Sequence, residues 1–187
     1  MFDLGYFFRA SSLFWRSKSG GKVKHLLDES IIKGRCWTTD LDTNWHMNNA
    51  RYLRQCDFGR ITLLLENGLW DAVLARRKTG MKDATVLVSA LQTQYRQSVQ
   101  LGDRYDIRTR IHGWDDKAFY LEQVIVFDKN QKIAFLMLIR LGLVPRSLTP
   151  QMLVDDLNLG VKQSPPFSPS VKAFQENYQL SYPIMKQ

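Results

Sequence analysis

The stretch Asp40-Leu41-Asp42-Thr43-Asn44-Trp45-His46-Met47-Asn48-Asn49-Ala50-Arg51-Tyr52 decides how the rest of this chain is read. A carboxylate, an amide and an imidazole come first, and two asparagines able to cap a helix follow. From Arg51 the chain continues without proline, and Tyr52, Cys56, Gly59 and Leu63 recur at helical spacing. The pattern predicts a helix that starts near Asn48 or Asn49 and runs to a stop at Asn67-Gly68. The unpaired first N–H groups and positive dipole end of such a helix face whatever Asp42, Asn44 and His46 surround. That junction is a ready site for an oxyanion.

Working outward, Gly34 to Thr39 reads as a first strand that delivers Asp40 and Asp42 into the loop. Beyond the long helix, Leu69 to Arg77 reads as a second helical piece ending in the basic run Arg76-Arg77-Lys78, ordinarily a solvated face. From Ala84 the period changes to two. Thr85 to Val99 reads as a long strand leading to a turn at Gly102-Asp103. Tyr105, Ile107, Thr109 and Ile111 then alternate with Asp106, Arg108, Arg110 and His112, as in a half-buried antiparallel strand. Phe119 to Phe127 and Lys132 to Val144 flank a hairpin at Asp128–Gln131, and the second of them is apolar enough to be a central strand covered on both faces. One strand, a long helix and a meander of strands make an α+β domain. Gly59 in mid-helix costs ~1 kcal/mol relative to alanine, a cost that close packing of the helix on a curved sheet would explain. Thr149 caps a short helix to about Leu157, and Ser164-Pro165-Pro166-Phe167-Ser168-Pro169 reads as a mobile or surface-wrapping tail. The chain therefore divides into an aromatic and basic N-terminal segment with its linker (1–24), one domain (25–157) and a proline-containing C-terminal tail (158–187).

Size and composition agree with a single core: 187 residues, 44% hydrophobic and 12% aromatic. Lysine and arginine number 26 against 18 acids, and the net charge of +8 favours anionic partners without choosing among them. Cys36 and Cys56 have no metal-type spacing and suggest neither a zinc site nor a disulfide framework, so no metal or cofactor is expected and a reducing, cytoplasmic setting is the simpler reading. Nucleic acid finds support in the charge alone, because neither a helix-turn-helix nor an aromatic-and-basic RNA module is visible. Phosphate-binding glycine loops and dinucleotide fingerprints are absent too, which disfavours nucleotide hydrolysis and redox chemistry. Met1 to Trp15 is aromatic but broken by Asp3 and Arg9, shorter than the ~20 residues a span needs. Residues 1–24 read equally well as a peripheral membrane contact, with aromatics beside Arg16, Lys18, Lys22 and Lys24, or as a helix docked on the domain. Ser17 to Lys22, with Gly20-Gly21, is the expected linker.

The run Asp-x-Asn-x-His-x-Asn-Asn followed by a Tyr-bearing helix resembles the active-site segment of plant acyl-carrier-protein thioesterases of the hotdog-fold superfamily, and the Asp-Leu-Asp ahead of it resembles that of 4-hydroxybenzoyl-CoA-type thioesterases. With Gly113-Trp114-Asp115-Asp116-Lys117-Ala118-Phe119-Tyr120-Leu121-Glu122, the likeness runs from about Ile32 to Asp156 and is nearest to an animal branch of the superfamily. It implies a hotdog fold, an antiparallel sheet wrapped around a central helix. It also implies hydrolysis of an acyl-CoA or acyl-ACP thioester, in sites between the subunits of a homodimer or higher homo-oligomer.

Carried onto this sequence, Asp42 is the base or nucleophile, Asn44 and His46 orient and polarise, and Asn48, Asn49 and Tyr52 bind substrate, with backbone N–H groups near the two asparagines receiving the oxyanion. Arg51, Arg54, Arg96 and Lys117 are candidate phosphate neighbours. Each residue also has a plainer reading. Asp42 suits an Asx turn, His46 a hydrogen-bonded structural position, the asparagines helix caps, and any one of the cations an ordinary surface charge. Two departures stand out. Trp45 occupies a stretch where bacterial relatives carry glycine, so it closes or lines an acyl tunnel. Tyr95-Arg96 leads into Gln97-Ser98-Val99 without the acid of the plant enzymes, which leaves Asp42 or His46 as the base. The alternative to a hydrolase is an acyl- or lipid-binding protein that keeps the fold and has lost turnover.

Overall fold

Apolar side chains alternate along the strand from Tyr105 to Ile111, and the long helix that follows the motif covers the face they form. The computed structural model describes residues 4–19 and 25–181. In chain order these form α1 (Leu4–Ser19), β1 (Ser30–Arg35), a 3-10 turn (Thr38–Asp40), α2 (Asn49–Glu66), α3 (Leu69–Lys78), β2 (Thr85–Tyr95), β3 (Arg104–Trp114), β4 (Ala118–Phe127), β5 (Ile133–Val144), α4 (Pro150–Leu157) and α5 (Pro169–Ser181). The five strands make one antiparallel sheet in the order β1-β3-β4-β5-β2, with β2 at one edge. Helix α2 lies on β1 and β3, burying Tyr52, Cys56, Leu63 and Leu64 with Ile107, Ile111, Ile125, Phe135 and Ile139. This is the hotdog arrangement.

Gly59 behaves as its position predicts. A Cβ there would stand 2.7 Å from Thr109 Oγ1 and 2.9 Å from Gln123 Nε2, so only glycine lets the helix approach the sheet this closely. The fully buried Gln123 fastens the same contact. Its Nε2 donates to the Cys56 carbonyl at 2.7 Å and to Thr109 Oγ1 at 2.9 Å, and its Oε1 accepts from Arg60 Nη1 at 3.1 Å. Every polar atom of that side chain is satisfied, as a buried amide requires.

Three boundaries differ from the sequence reading. The first strand is Ser30–Arg35, not Gly34–Thr39, because Asp40 Oδ2 accepts the Trp37 N–H at 3.0 Å and folds Thr38–Asp40 into a turn. Strand β2 stops at Tyr95, where the Arg96 and Gln97 N–H groups both converge on the Ala134 carbonyl, which frees Val99 to pair with the motif loop. The expected linker lies partly inside α1, which runs to Ser19, while residues 20–22 fall outside the described residues.

The largest difference is at the C-terminus, where the expected tail carries α5. Val171 and Phe174 are buried against Ala118, Tyr120 and Leu138 on the outer face of the sheet, so that face is covered as well. The connection crosses at Gly113, where the Trp114 N–H donates to Ser164 Oγ at 2.8 Å and a Cβ would meet that oxygen at 2.6 Å. At the other end, α1 docks on α2 through Tyr6, which hydrogen-bonds Asp57 and stacks 5.1 Å from Phe58, and through Arg9 Nη1, which donates to Gln55 Oε1 at 2.7 Å. Phe8 and Trp15 stay largely exposed. Among the described residues no helix is long and apolar enough to cross a membrane.

Candidate active site

The motif loop is a tight hairpin pinned on both sides. The Asp42 N–H donates to the His46 carbonyl at 2.9 Å and the Trp45 N–H to the Asp42 carbonyl at 3.1 Å. Outside this turn, Leu41 bridges Met47 and His46 bridges Gln100, while the Met47 N–H donates to the Val99 carbonyl at 2.8 Å. Residues two and four positions after Asp42 are thereby held beside it. His46 Nδ1 stands 3.4 Å from Asp42 Oδ2, and both side chains are partly exposed. The other oxygen, Asp42 Oδ1, accepts the Asn44 N–H at 2.8 Å, an Asx turn that fixes the carboxylate orientation. Imidazole and carboxylate thus form a pair at the surface, with Nδ1 turned towards the acid and Nε2 turned away.

Helix α2 begins immediately after this pair. Asn48 Oδ1 accepts the Ala50 N–H at 2.9 Å, so Asn48 is the N-cap. The Asn48 N–H is itself spent on the Asp40 carbonyl at 2.8 Å, which removes it from the expected oxyanion donors. The Arg51 N–H donates to the Asn48 carbonyl. Among the described residues the Asn49 N–H makes no hydrogen bond, and it remains as the orphan donor of the first turn.

Tyr52 is placed differently from the expectation of substrate contact. It is 3% exposed, its ring lies 5.2 Å from Phe135 and 5.4 Å from Tyr95, and its hydroxyl accepts the Val99 N–H at 3.0 Å. Burial raises the Tyr52 pKa, partly offset by that N–H. Tyr52 is a strut that ties α2 to the strand behind the motif. Tyr95, which entered the sequence reading only as the place of a missing acid, completes the wall, donating from its hydroxyl to the Asn49 carbonyl at 3.3 Å. Chain order alone gave no sign of that contact.

Trp45 neither closes nor lines a tunnel within the chain. It sits at the tip of the turn, 76% exposed, with φ +60°, in the left-handed region that favours glycine. Asn44, Asn48 and Asn49 are exposed too. The candidate phosphate neighbours separate. Arg51 is in the first turn of α2, Arg54 stacks over Phe58 at 5.7 Å, Arg96 Nη2 donates to Gln94 Oε1 at 2.7 Å, and Lys117 lies on the outer face of the sheet. Neither thiol offers a nucleophile at neutral pH, since burial pushes Cys36 up to about 11 and Cys56 up to about 12. No cluster of metal ligands occurs among the described residues.

Residues 36–175 match the model of a family described as the thioesterase-like superfamily. The chain is 38% identical over 156 residues to protein THEM6 of Danio rerio, covering 83% of this chain and 73% of that one. A probable thioesterase from Bartonella henselae superposes with a TM-score of 0.56 at 22% identity, covering 63% of this chain and 92% of its own. A hypothetical protein from Staphylococcus aureus, solved in complex with CoA, does so at 0.55 and 15%, covering 78% and 91%. At these identities the structural likeness speaks for the fold.

Proposed function

Because this chain belongs to the thioesterase-like superfamily, we propose that it hydrolyses acyl-CoA thioesters at the Asp42–His46 loop. The observation that carries the reading is the Asp42–His46 pair, 3.4 Å apart, at the start of a helix whose Asn49 N–H is unspent. In this mechanism Asp42 holds the imidazole through Nδ1 while Nε2 takes a proton from water. The water oxygen adds to the thioester carbonyl carbon, and the Asn49 N–H and the α2 dipole receive the developing oxyanion. The C–S bond then breaks, the proton passes to the departing thiolate, and a free acid and a thiol result. Asn44 orients the carbonyl from the exposed side of the turn. Tyr52 acts by holding α2, without touching substrate.

CoA is preferred to an acyl carrier protein because the Staphylococcus aureus neighbour holds CoA and the net charge of +8 suits its phosphates. A homodimer completes the site in this reading. Asn44, Trp45 and Asn49 open to solvent in the single chain, and edge strand β2 exposes Val88, Leu91 and Tyr95 beside an unpaired backbone edge. Exposed Phe8 and Trp15 support a peripheral membrane contact through residues 1–24. The sectioning into that segment, a catalytic domain and a C-terminal extension is kept, with α5 joined to the domain.

The experiment is hydrolysis of an acyl-CoA panel, short to long, by wild type and Asp42→Asn, followed by free thiol. Loss of the carboxylate that orients the imidazole base predicts a fall of up to ~10⁴-fold in kcat with the fold intact. Undiminished turnover in Asp42→Asn would refute the assignment. No turnover by folded wild type on any chain length would favour an acyl-binding protein, a second reading for which the Asx turn at Asp42 speaks.

A further inference from the structure

The outer face of the sheet holds a buried cation that no buried anion among the described residues matches. Arg140 of β5 is 8% exposed, on the face opposite α2. Its Nη1 donates to Ser89 Oγ at 2.8 Å, and its guanidinium lies 4.5 Å from the ring centre of Tyr178 on α5. Its Nε is buried and makes no hydrogen bond among the described residues. Neither a hydroxyl nor a ring carries formal charge, and among the described residues no carboxylate stands at ion-pair distance from it. Its link to an acid runs through the Tyr120 hydroxyl, which donates to Asp115 Oδ2 at 2.8 Å. Burying an unpaired guanidinium is costly, and the cost falls when an anion arrives with it.

Space for that anion adjoins the group. A cavity of about 700 Å³ opens between the β2–β5 edge and α5, with Arg140, Lys117 and Arg146 in its lining and no acidic side chain among the described residues that line it. Leu87, Leu143 and Leu148 supply an apolar wall. Gly142 adds no side chain to the lining, and its nearest neighbour to a built Cβ is Ser89 Oγ at 3.4 Å, so the space continues over it. The volume falls in the range of sites for small molecules. The motif loop contributes nothing to this lining.

We infer that this cavity is a second binding site, for an amphiphilic oxyanion whose carboxylate or phosphate pairs with Arg140 and whose alkyl chain lies along Leu87, Leu143 and Leu148. The inference is independent of hydrolysis at Asp42, and its test involves no turnover. The full chain is titrated calorimetrically with laurate, dodecyl phosphate and dodecanol. Both anions bind at least tenfold tighter than the alcohol, and the tighter of the two identifies the head group. Arg140→Met loses at least tenfold for both. Gly142→Leu keeps the cation, fills the space and loses as much, with its melting temperature checked in parallel to show that it folds. Dodecanol binding as tightly as laurate would overturn the role of Arg140. Unchanged laurate affinity in folded Gly142→Leu would overturn the site itself.

Discussion

Gly59→Ala sets two physical effects against each other with opposite signs. In an exposed helix the change stabilises by ~1 kcal/mol. Here the new Cβ would lie 2.7 Å from Thr109 Oγ1, 2.9 Å from Gln123 Nε2 and 3.1 Å from Ile107 Cγ2, all buried and none the free end of a flexible chain. Overpacking of that kind costs ~1–3 kcal/mol. Pushing Gln123 aside also weakens its bonds to Thr109 and the Cys56 carbonyl, and a buried amide left short costs ~1–3 kcal/mol more. After subtracting the propensity gain the net is a loss of roughly 1–5 kcal/mol, centred near 3. For a chain of this length that lowers the melting temperature by roughly 6–12 °C. Urea unfolding followed by circular dichroism should show the midpoint falling at constant slope. A melting temperature that rises by the propensity increment would refute the close contact, and with it the account of how α2 presents Asn49.

Tyr52→Phe keeps the ring and removes the acceptor of the Val99 N–H, so it lowers stability by ~1–3 kcal/mol and speeds amide exchange at Val99. A raised KM with stability unmoved would instead put Tyr52 against substrate. Glu122 is held below the usual carboxylate range, first by His112 at 3.4 Å and then by Arg110 at 2.7 Å. Its contribution is present above the unfolded value of about 4.3 and is lost as pH falls through the lower folded value. Acid unfolding of Glu122→Gln is accordingly flatter in that window, and curves superimposable on wild type would contradict the pairing. Trp45→Gly removes ~1 kcal/mol of left-handed backbone cost from an exposed turn, so the melting temperature holds or rises. A clear drop would show the indole packed on something, a second subunit being the first to examine by sedimentation.

What could be read in advance was local. The cap at Asn48, the stop at Asn67-Gly68, the alternation from Tyr105 and the demand for glycine at position 59 each depend on neighbours a few residues away or on one periodic face. The same kind of signal led to the motif loop, and the structure brings Asp42 and His46 together because the tight hairpin closed between them leaves them little alternative. The competing local signal was as legible: Asp42 in an Asx turn and Asn48 as a cap are plain readings that hold alongside the pair, because one carboxylate oxygen serves the turn and the other faces the imidazole.

Misreadings arose where a distant segment decided the outcome. Pro169–Ser181 follows a proline-rich run and looks like tail, yet Val171 and Phe174 find a waiting apolar surface at Ala118, Tyr120 and Leu138, more than thirty positions away. Tyr52 looked available from its place in the first turns of α2, but its hydroxyl meets a strand end that had to stop at Tyr95 to supply Val99. Lys117, a candidate phosphate neighbour, sits in the β3–β4 turn and lines the cavity that Arg140 also lines, which the motif loop does not. Covering both faces is what gives these displacements a common cause. Once α5 closes the outer face, a cation that would have been solvated on an open sheet is buried under Tyr178, and the period-two pattern that correctly placed Arg140 in a strand carries no information about what lies above it.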